Sequence, residues 1–181
     1  MQKLCHYKLR VSMSKHNVQF SKDNEYYTPK EFVKQFGDFD YDPATTKEKA
    51  AEFGIKYYDT IETDGLKSEW NYQSIWINPP FTIKHKFLEK AVETFKKYHN
   101  SILILVPIGF LTTKRFHNIM KGVGFTMYLP NGRIKFESGL GKKSSSPAFG
   151  SVVIRIGNIF NCSIYGDNIV NEDSRIKRIE L

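Results

Sequence analysis

Hydrophobic residues along the chain follow two spacings, one typical of strands and one typical of helices. Residues 74–77 (SIWI) and 101–108 (SILILVPI) are continuous apolar runs. Such runs are typical of strands in a sheet that is covered on both faces. Between the two runs, apolar residues recur on one helical face, which predicts a long helix. The residues on that face are Phe87, Leu88, Ala91, Val92, Phe95 and Tyr98.

Capping residues predict three shorter helices, at residues 28–36, 45–54 and 112–122. In the first of these helices, Thr28 is the expected N-cap, Pro29 suits the first turn and Glu31 completes a capping box. Either Thr45 or Thr46 caps the second helix. A glycine ends the second and the third helix, as is common at helix C-termini.

Shorter β-prone segments predict further strands, at residues 38–43, 55–59, 125–129, 132–136 and 150–157. Strands that alternate with helices and are followed by hairpin-like strands indicate an α/β three-layer sandwich with a mixed sheet. We expect residues 26–157 to form the domain. Residues 1–25 are expected to form an arm or a peripheral element, and residues 158–181 a C-terminal tail.

Polar residues cluster where the predicted strands end. Asp42, Asp59, Asp64 and Asn78 all lie at or just after the end of a strand. In open α/β sheets, ligands bind beyond the carboxyl ends of the strands. We therefore expect these four side chains to share one rim of the sheet.

The composition favours a nucleic-acid partner and argues against a metal site and a membrane span. The 181 residues include 27 Lys and Arg against 19 Asp and Glu, for a net charge of +8, which favours a polyanion such as nucleic acid. Cys5 and Cys162 form no CxxC pair and the five histidines lack metal-ligand spacing, so no metal site is expected. The start lacks a signal-peptide core and the longest apolar run, residues 102–110, is too short to span a bilayer. These features predict a cytoplasmic protein without membrane contact.

The tetrapeptide Asn78-Pro79-Pro80-Phe81 ends the SIWI strand and is the most informative motif. The Asn78 side-chain oxygen and the Pro79 carbonyl can together accept both hydrogens of an exocyclic amine. The two prolines restrict the direction of that carbonyl, and Phe81 offers a face on which a flat ring can stack. The alternative is a Pro-Pro strand terminator with a turn-forming asparagine.

This motif after an apolar strand resembles motif IV of the amino-methyltransferases that use S-adenosylmethionine. Five segments of the chain occur in the same order as in the phage-type DNA N6-adenine methyltransferases, the Dam-like family, and so resemble that family. They are YTPKEF (27–32), FDYDPATTKEKA (39–50), DGLKSEW (64–70), IWINPPF (75–81) and LPNGRIKF (129–136). The resemblance covers roughly residues 26–156. It implies a Rossmann-like class I methyltransferase fold, S-adenosylmethionine as the cofactor and DNA as the partner.

The resemblance also implies which residues contact the cofactor: Tyr27, Thr28, Pro29, Asp42, Asp59 and Asp64. The first three line its methionine end, Asp42 is an acidic contact, and Asp64 meets its adenine amine. Either Asp59 or Glu62 is expected to bind the ribose hydroxyls, and the alternative is that both are solvated loop charges. The sequence DPATT replaces the usual glycine-rich loop of methyltransferases. Simpler roles stay open, since Thr28 could only cap a helix, Asp42 could cap the next helix and Asp64 could form an Asp-Gly turn.

A third set of residues is expected to contact DNA: Lys84, Lys86, Arg133, Phe136, Lys142 and Lys143. Arg133 and Phe136 match the segment that borders the target base, whereas the lysines, with His85, suit backbone phosphates. Phe136 could instead be a core residue. Lys142 and Lys143, in a Gly/Ser loop, could serve only solubility.

Together these features predict a site-specific enzyme that methylates N6 of a flipped-out adenine in DNA. Asn78, Pro79, Pro80 and Phe81 are its expected catalytic residues. The family suggests modification of phage DNA against restriction. The alternatives are an RNA or protein-amide N-methyltransferase, or an inactive module that binds nucleic acid.

Overall fold

The computed structural model describes residues 26–138 and 149–157. Its strands and helices are, in chain order, β1 (Tyr26–Tyr27), α1 (Lys30–Lys34), β2 (Tyr41–Asp42), α2 (Lys47–Phe53), β3 (Tyr57–Tyr58), β4 (Ser74–Ile77), α3 (Lys84–Tyr98), β5 (Ser101–Pro107), a 3-10 helix (Ile108–Phe110), α4 (Lys114–Ile119), β6 (Phe125–Tyr128), β7 (Glu137–Ser138) and β8 (Ser151–Ile156).

Six of the strands form a mixed sheet in the order β3-β2-β4-β5-β8-β6. The first four are parallel, and β8 is antiparallel to both β5 and β6. A separate antiparallel ribbon pairs β1 with β7, so that Tyr26 lies opposite Ser138 and Tyr27 opposite Glu137. The α/β fold with a mixed sheet is therefore confirmed.

Helices cover both faces of the sheet because its central strands are apolar on both sides. In β4, Ile75 and Ile77 pack with the buried side chains of α3 and α4, whereas Trp76 packs on the opposite side with those of α1 and α2. Strands β5 and β8 divide their side chains between the two clusters in the same alternating way. Trp76 is completely buried, and full burial of a large apolar side chain contributes about 1.5–3 kcal/mol.

Helix α2 begins and ends as the sequence predicts. The hydroxyl of Thr46 accepts a hydrogen bond from the Lys49 amide at 3.3 Å, and Gly54 ends the helix with a φ of 76°. This left-handed conformation favours glycine, which has no Cβ to clash with the backbone.

Two predicted elements differ in the structure. Helix α1 begins only at Lys30 with Pro29 as its N-cap, so Thr28 is not the cap. Pro29 restricts the residue before it to extended backbone, which keeps Thr28 outside the helix. The strand predicted at residues 132–136 is also wrong, because β7 begins at Glu137. Residues of that segment, including Phe136, pack into the core instead.

The loop after β3 packs directly against the loop after β2. A Cβ added to Gly65 would lie 2.0 Å from the Pro43 carbonyl oxygen and 2.8 Å from the Pro43 Cβ. The preceding residue, Asp64, has a φ of 56°. The Asp-Gly turn therefore brings the two backbones closer than a side chain allows.

We expect the Gly65→Ala variant to be destabilised by about 1–3 kcal/mol, since overpacking forces the backbone to shift. Thermal unfolding should show a melting temperature several degrees below that of the wild type. Gly109→Ala is the matched control, because a Cβ at Gly109 meets no described heavy atom within 4 Å. Equal melting temperatures for both variants would contradict the close approach at Gly65.

Candidate active site

Three of the predicted polar residues lie at one edge of the sheet. Asp42 ends β2, Asp59 follows β3 and Asn78 follows β4, and these three strands are parallel neighbours. The Asp59 amide donates to the Asp42 carbonyl at 2.9 Å, so the chain stays paired beyond the last residue of β3. The shared rim expected from the sequence therefore exists for these residues.

The Asn78 side chain has a fixed orientation. Its Nδ2 donates to the backbone carbonyl of Tyr26 at 2.8 Å. Its Oδ1 is buried and has no hydrogen-bond partner among the described residues. A buried acceptor without a partner costs roughly 1–3 kcal/mol, so a ligand that supplies a donor would bind favourably at this atom. The side-chain amide therefore keeps its oxygen as an acceptor that no described residue uses.

The residues after Asn78 are braced by the start of α3. The Pro80 carbonyl accepts from the Ile83 amide at 3.0 Å, and the Phe81 carbonyl accepts from Lys84 Nζ at 2.7 Å. Lys84 Nζ also lies 5.1 Å from the centroid of the Phe110 ring. Burial lowers the pKa of Lys84. In this arrangement Lys84 supports the NPPF motif, although the sequence suggested a phosphate contact.

Phe81 is half-buried in a group of aromatic rings. It stacks on Tyr26, with ring centroids 5.8 Å apart and planes inclined by 25°. It also forms T-shaped pairs with Phe136 and Phe149, with ring centroids 6.3 Å and 5.4 Å apart. Phe136 is fully buried and cannot touch a nucleic acid from this position. The expected DNA contact of Phe136 is therefore corrected to its alternative, a core residue.

Thr28 carries a second buried oxygen without a partner. Only 2% of the residue is exposed, and its Oγ1 has no hydrogen-bond partner among the described residues. Since Thr28 does not cap α1, the helix cannot explain this hydroxyl. Tyr27 and Pro29 beside it are half-buried. Thr28 lies two residues after Tyr26, whose carbonyl accepts the hydrogen bond from Asn78 Nδ2.

Asp42 is a buried carboxyl group at the end of β2. Its Oδ1 accepts a hydrogen bond from the Ala44 amide at 2.9 Å, and burial raises its pKa to about 7. The alternative role, capping α2, is wrong because Thr46 is that cap. A buried carboxyl group with a raised pKa at a sheet edge is typical of functional sites.

Of Asp59 and Glu62, the two candidates that follow β3, only Asp59 lines a cavity where a ligand could bind. It accepts a hydrogen bond from the Tyr41 hydroxyl and lines a cavity of about 290 Å³. Burial raises the pKa of Asp59, but hydrogen bonds from Tyr41 and Ser68 outweigh that effect and the pKa falls below its usual value. Glu62 is exposed and binds the hydroxyl of the neighbouring Thr60.

Asp64 is not one of the residues that line this cavity. Its carboxylate forms an ion pair with Lys67 at 3.0 Å near the surface, and the hydrogen bond from Lys67 lowers its pKa. Asp64 also occupies the left-handed backbone conformation of the Asp-Gly turn. The turn interpretation of Asp64 therefore has a structural basis, and its predicted cofactor contact stays a prediction.

The remaining DNA-contact candidates differ in exposure. Lys86 and Arg133 are exposed, whereas His85 is half-buried and burial lowers its pKa. Lys142 and Lys143 lie outside the described residues.

Within residues 26–138 and 149–157, no cluster of three or more His, Cys, Asp or Glu is arranged to hold a metal ion. Across these same ranges, no helix has the length and apolar character needed to cross a membrane.

The sequence did not point to the Tyr26 carbonyl or to the bracing role of Lys84. Lys84 is three residues from Phe81, and this spacing at a helix start is the one feature that could have indicated the contact. Tyr26 is 52 positions before Asn78. No local pattern predicts that pair.

Comparison with known proteins gives a consistent result. The family model described as DNA N-6-adenine-methyltransferase (Dam) matches residues 6–177. The chain is 29% identical over 146 residues to a DNA N-6-adenine-methyltransferase of Escherichia phage T1, with 70% of this chain and 59% of the relative covered. It is 24% identical over 82 residues to that of Haemophilus phage HP1 (strain HP1c1), with 45% and 47% covered. The chain thus spans about half the length of these relatives.

The raised pKa of Asp42 predicts how stability depends on pH. Its value rises from 3.8 to about 7 on folding, so between these values the folded state holds a proton that the unfolded chain releases. Stability should fall as the pH rises through this window and stay low above it. We expect ligand-free Asp42→Asn to melt at a higher temperature than the wild type at pH 8, because its amide needs no ionisation. The difference in melting temperature between the variant and the wild type should shrink as the pH falls toward 4. A difference that does not change with pH would contradict a raised pKa of Asp42.

Proposed function

The chain belongs to the Dam family of DNA N-6-adenine-methyltransferases, and we propose that it transfers a methyl group from S-adenosylmethionine to N6 of a flipped-out adenine in DNA. The buried Oδ1 of Asn78, which has no partner among the described residues, is the observation that carries this proposal. An amine hydrogen of adenine is a donor that suits this acceptor. The second amine hydrogen would reach the carbonyl of Pro79.

These acceptors address the chemical difficulty of the reaction. The amine of adenine is a poor nucleophile because its lone pair is delocalised into the ring. Hydrogen bonds to Asn78 and the Pro79 carbonyl favour a tetrahedral nitrogen, which localises the lone pair for attack. Correct positioning of two reactants can supply about 7–11 kcal/mol. No strong general base is needed, because the methylated ammonium is acidic and loses its proton to water.

The rim has groups that fit S-adenosylmethionine, which when bound supplies a methyl group on a positively charged sulfur. Thr28 Oγ1 is a buried hydroxyl without a described partner. Asp42 offers a buried carboxylate to a positively charged group, and Asp59 offers a carboxylate beside a cavity. We assign these three residues to the cofactor, and Asp59 rather than Glu62 to its ribose hydroxyls. Tyr27, Pro29 and Asp64 stay further candidates.

The fold and charge support the same proposal. A mixed sheet with helices on both faces and polar groups at its carboxyl edge is compatible with a Rossmann-like class I methyltransferase domain. The net charge of +8 suits DNA, and the exposed Lys86 and Arg133 are the described candidates for phosphate contact. Stacking on Phe81 would offset part of the cost of flipping the base.

We further propose that the enzyme modifies phage DNA at a specific site in the host cytoplasm and so protects it from restriction. The relatives from phages T1 and HP1 support this setting.

Transfer of a radiolabelled methyl group tests the substrate. We expect label in double-stranded DNA and its recovery as N6-methyladenine after digestion to nucleosides. Label in RNA or in protein amides instead would overturn the DNA assignment. Cofactor binding without transfer to any of the three would indicate an inactive module that binds nucleic acid.

We expect Asn78→Ala to lose methyl transfer by at least roughly 10²–10³-fold, the cost typical of removing one group that stabilises a transition state electrostatically. Cofactor affinity measured by calorimetry should stay close to that of the wild type, because the proposed cofactor contacts are elsewhere on the rim. Asn118→Ala is the matched control, since Asn118 is exposed on α4. Near-normal turnover of Asn78→Ala would show that this amide has no catalytic role.

A further inference from the structure

Lys90, on the side of α3 that faces the loop after β3, makes an unusual set of contacts. Its Nζ donates to the backbone carbonyls of Leu66 at 2.6 Å, Gly65 at 3.2 Å and Ser68. A lysine ammonium has three donors and no acceptor, so these carbonyls use its full capacity. The nitrogen also lies 5.0 Å from the centroid of the Trp70 ring, a distance typical of a cation–π contact.

The carbonyls that surround Lys90 belong to one short segment, residues 65–68. Trp70 Nε1 donates to the Gly65 carbonyl at 2.8 Å, so this oxygen accepts hydrogen bonds from two side chains. Gly65 is also the residue that approaches the Pro43 carbonyl too closely for a Cβ. Backbone carbonyls that converge on one point repel each other unless a cation lies between them. The ammonium of Lys90 is that cation.

The segment around Lys90 connects residues of the candidate cofactor site. Asp59 and Asp64 attract the ammonium electrostatically, whereas burial lowers the pKa of Lys90. Ser68 donates a hydrogen bond to Asp59 and lines the same cavity. Lys90 itself does not line the cavity. It would therefore act through the loop and not by contact with a ligand.

We propose that Lys90 is a positioning residue whose ammonium organises the carbonyls of residues 65–68 and thereby holds the cofactor side of the rim in shape. This inference rests on the proposed function, because it assigns the loop to cofactor binding. Lys90 belongs to the helix that follows the NPPF motif, so it joins that helix to the loop that carries Asp59 and Asp64. Its removal should weaken cofactor binding more than it slows transfer at saturating cofactor.

The first test compares Lys90→Met with the wild type by calorimetry with S-adenosylmethionine and by steady-state methyl transfer to DNA. Methionine keeps an unbranched side chain against Trp70 and removes the charge. We expect cofactor binding at least tenfold weaker and kcat within about threefold of the wild type. Lys96→Ala is the control on the same helix, since Lys96 is exposed. Unchanged cofactor affinity, or a loss confined to kcat, would overturn the proposal.

The second test separates positioning from general stability by chemical rescue. Lys90→Ala removes three carbons and the ammonium group of the side chain, and propylammonium has the same three carbons and ammonium group. Propylammonium should restore cofactor affinity to this variant but have no effect on Lys96→Ala. Tetramethylammonium has the same charge but no N–H donor and should not rescue. If neither amine acts on Lys90→Ala, or both act equally, the carbonyl contacts do not explain the role of Lys90.

A third measurement does not depend on the proposed function. Amide hydrogen exchange over residues 59–70 should be faster in Lys90→Met than in the wild type and return toward wild-type rates in Lys90→Ala with propylammonium. Exchange in β4 and β5 should not change. If the wild type binds no S-adenosylmethionine, the proposed function fails, and the exchange data still decide whether Lys90 holds the loop. Unchanged exchange over residues 59–70 would overturn that role.

Discussion

The hydrogen bond from Asn78 Nδ2 to the Tyr26 carbonyl decides what the end of β4 presents to a ligand. An amide can turn its donor or its acceptor outward, and the two orientations suit opposite partners. With Nδ2 engaged, the buried Oδ1 becomes the acceptor. Tyr26 is held in place by strand pairing and by its ring contacts with Phe81 and Phe136. The chemistry of the motif therefore depends on a strand distant in sequence.

Two groups of contacts surround the rim, one on each side of β4. On one side, Tyr26 of the ribbon of β1 and β7 binds the Asn78 side chain and contacts the aromatic rings of Phe81 and Phe136. The Lys49 ammonium connects α2 to this ribbon by an ion pair with Glu137 at 2.5 Å, and it also pairs with Glu52 of the same helix at 2.7 Å. On the other side, α3 braces both the NPPF motif and the loop after β3. Helix α3 thus contacts both the proposed catalytic side and the proposed cofactor side through two lysines.

Two buried oxygens at the rim are atoms that the proposed function would account for. A Pro-Pro terminator needs no buried acceptor without a partner, yet Asn78 and Thr28 each carry an oxygen that no described residue satisfies. Buried Asp42 is also costly in its ionised form, because burial disfavours charge. These groups destabilise the free protein. Their retention is understandable if a bound cofactor and a bound adenine satisfy them.

The sequence by itself determined the periodic elements, because apolar spacing and capping residues act locally. The sequence predicted β4, α3, β5 and the mixed α/β sheet, and its NPPF motif pointed to the family. Only the tertiary structure decided that Thr28 does not cap a helix, that Phe136 is a core residue, and that Lys84 and Lys90 bind backbone carbonyls. The burial of Phe136 and the contacts of Lys90 depend on segments that are distant in sequence. Local spacing carries no information about these long-range contacts, since they result from how the loops and the helices pack against each other and against the sheet.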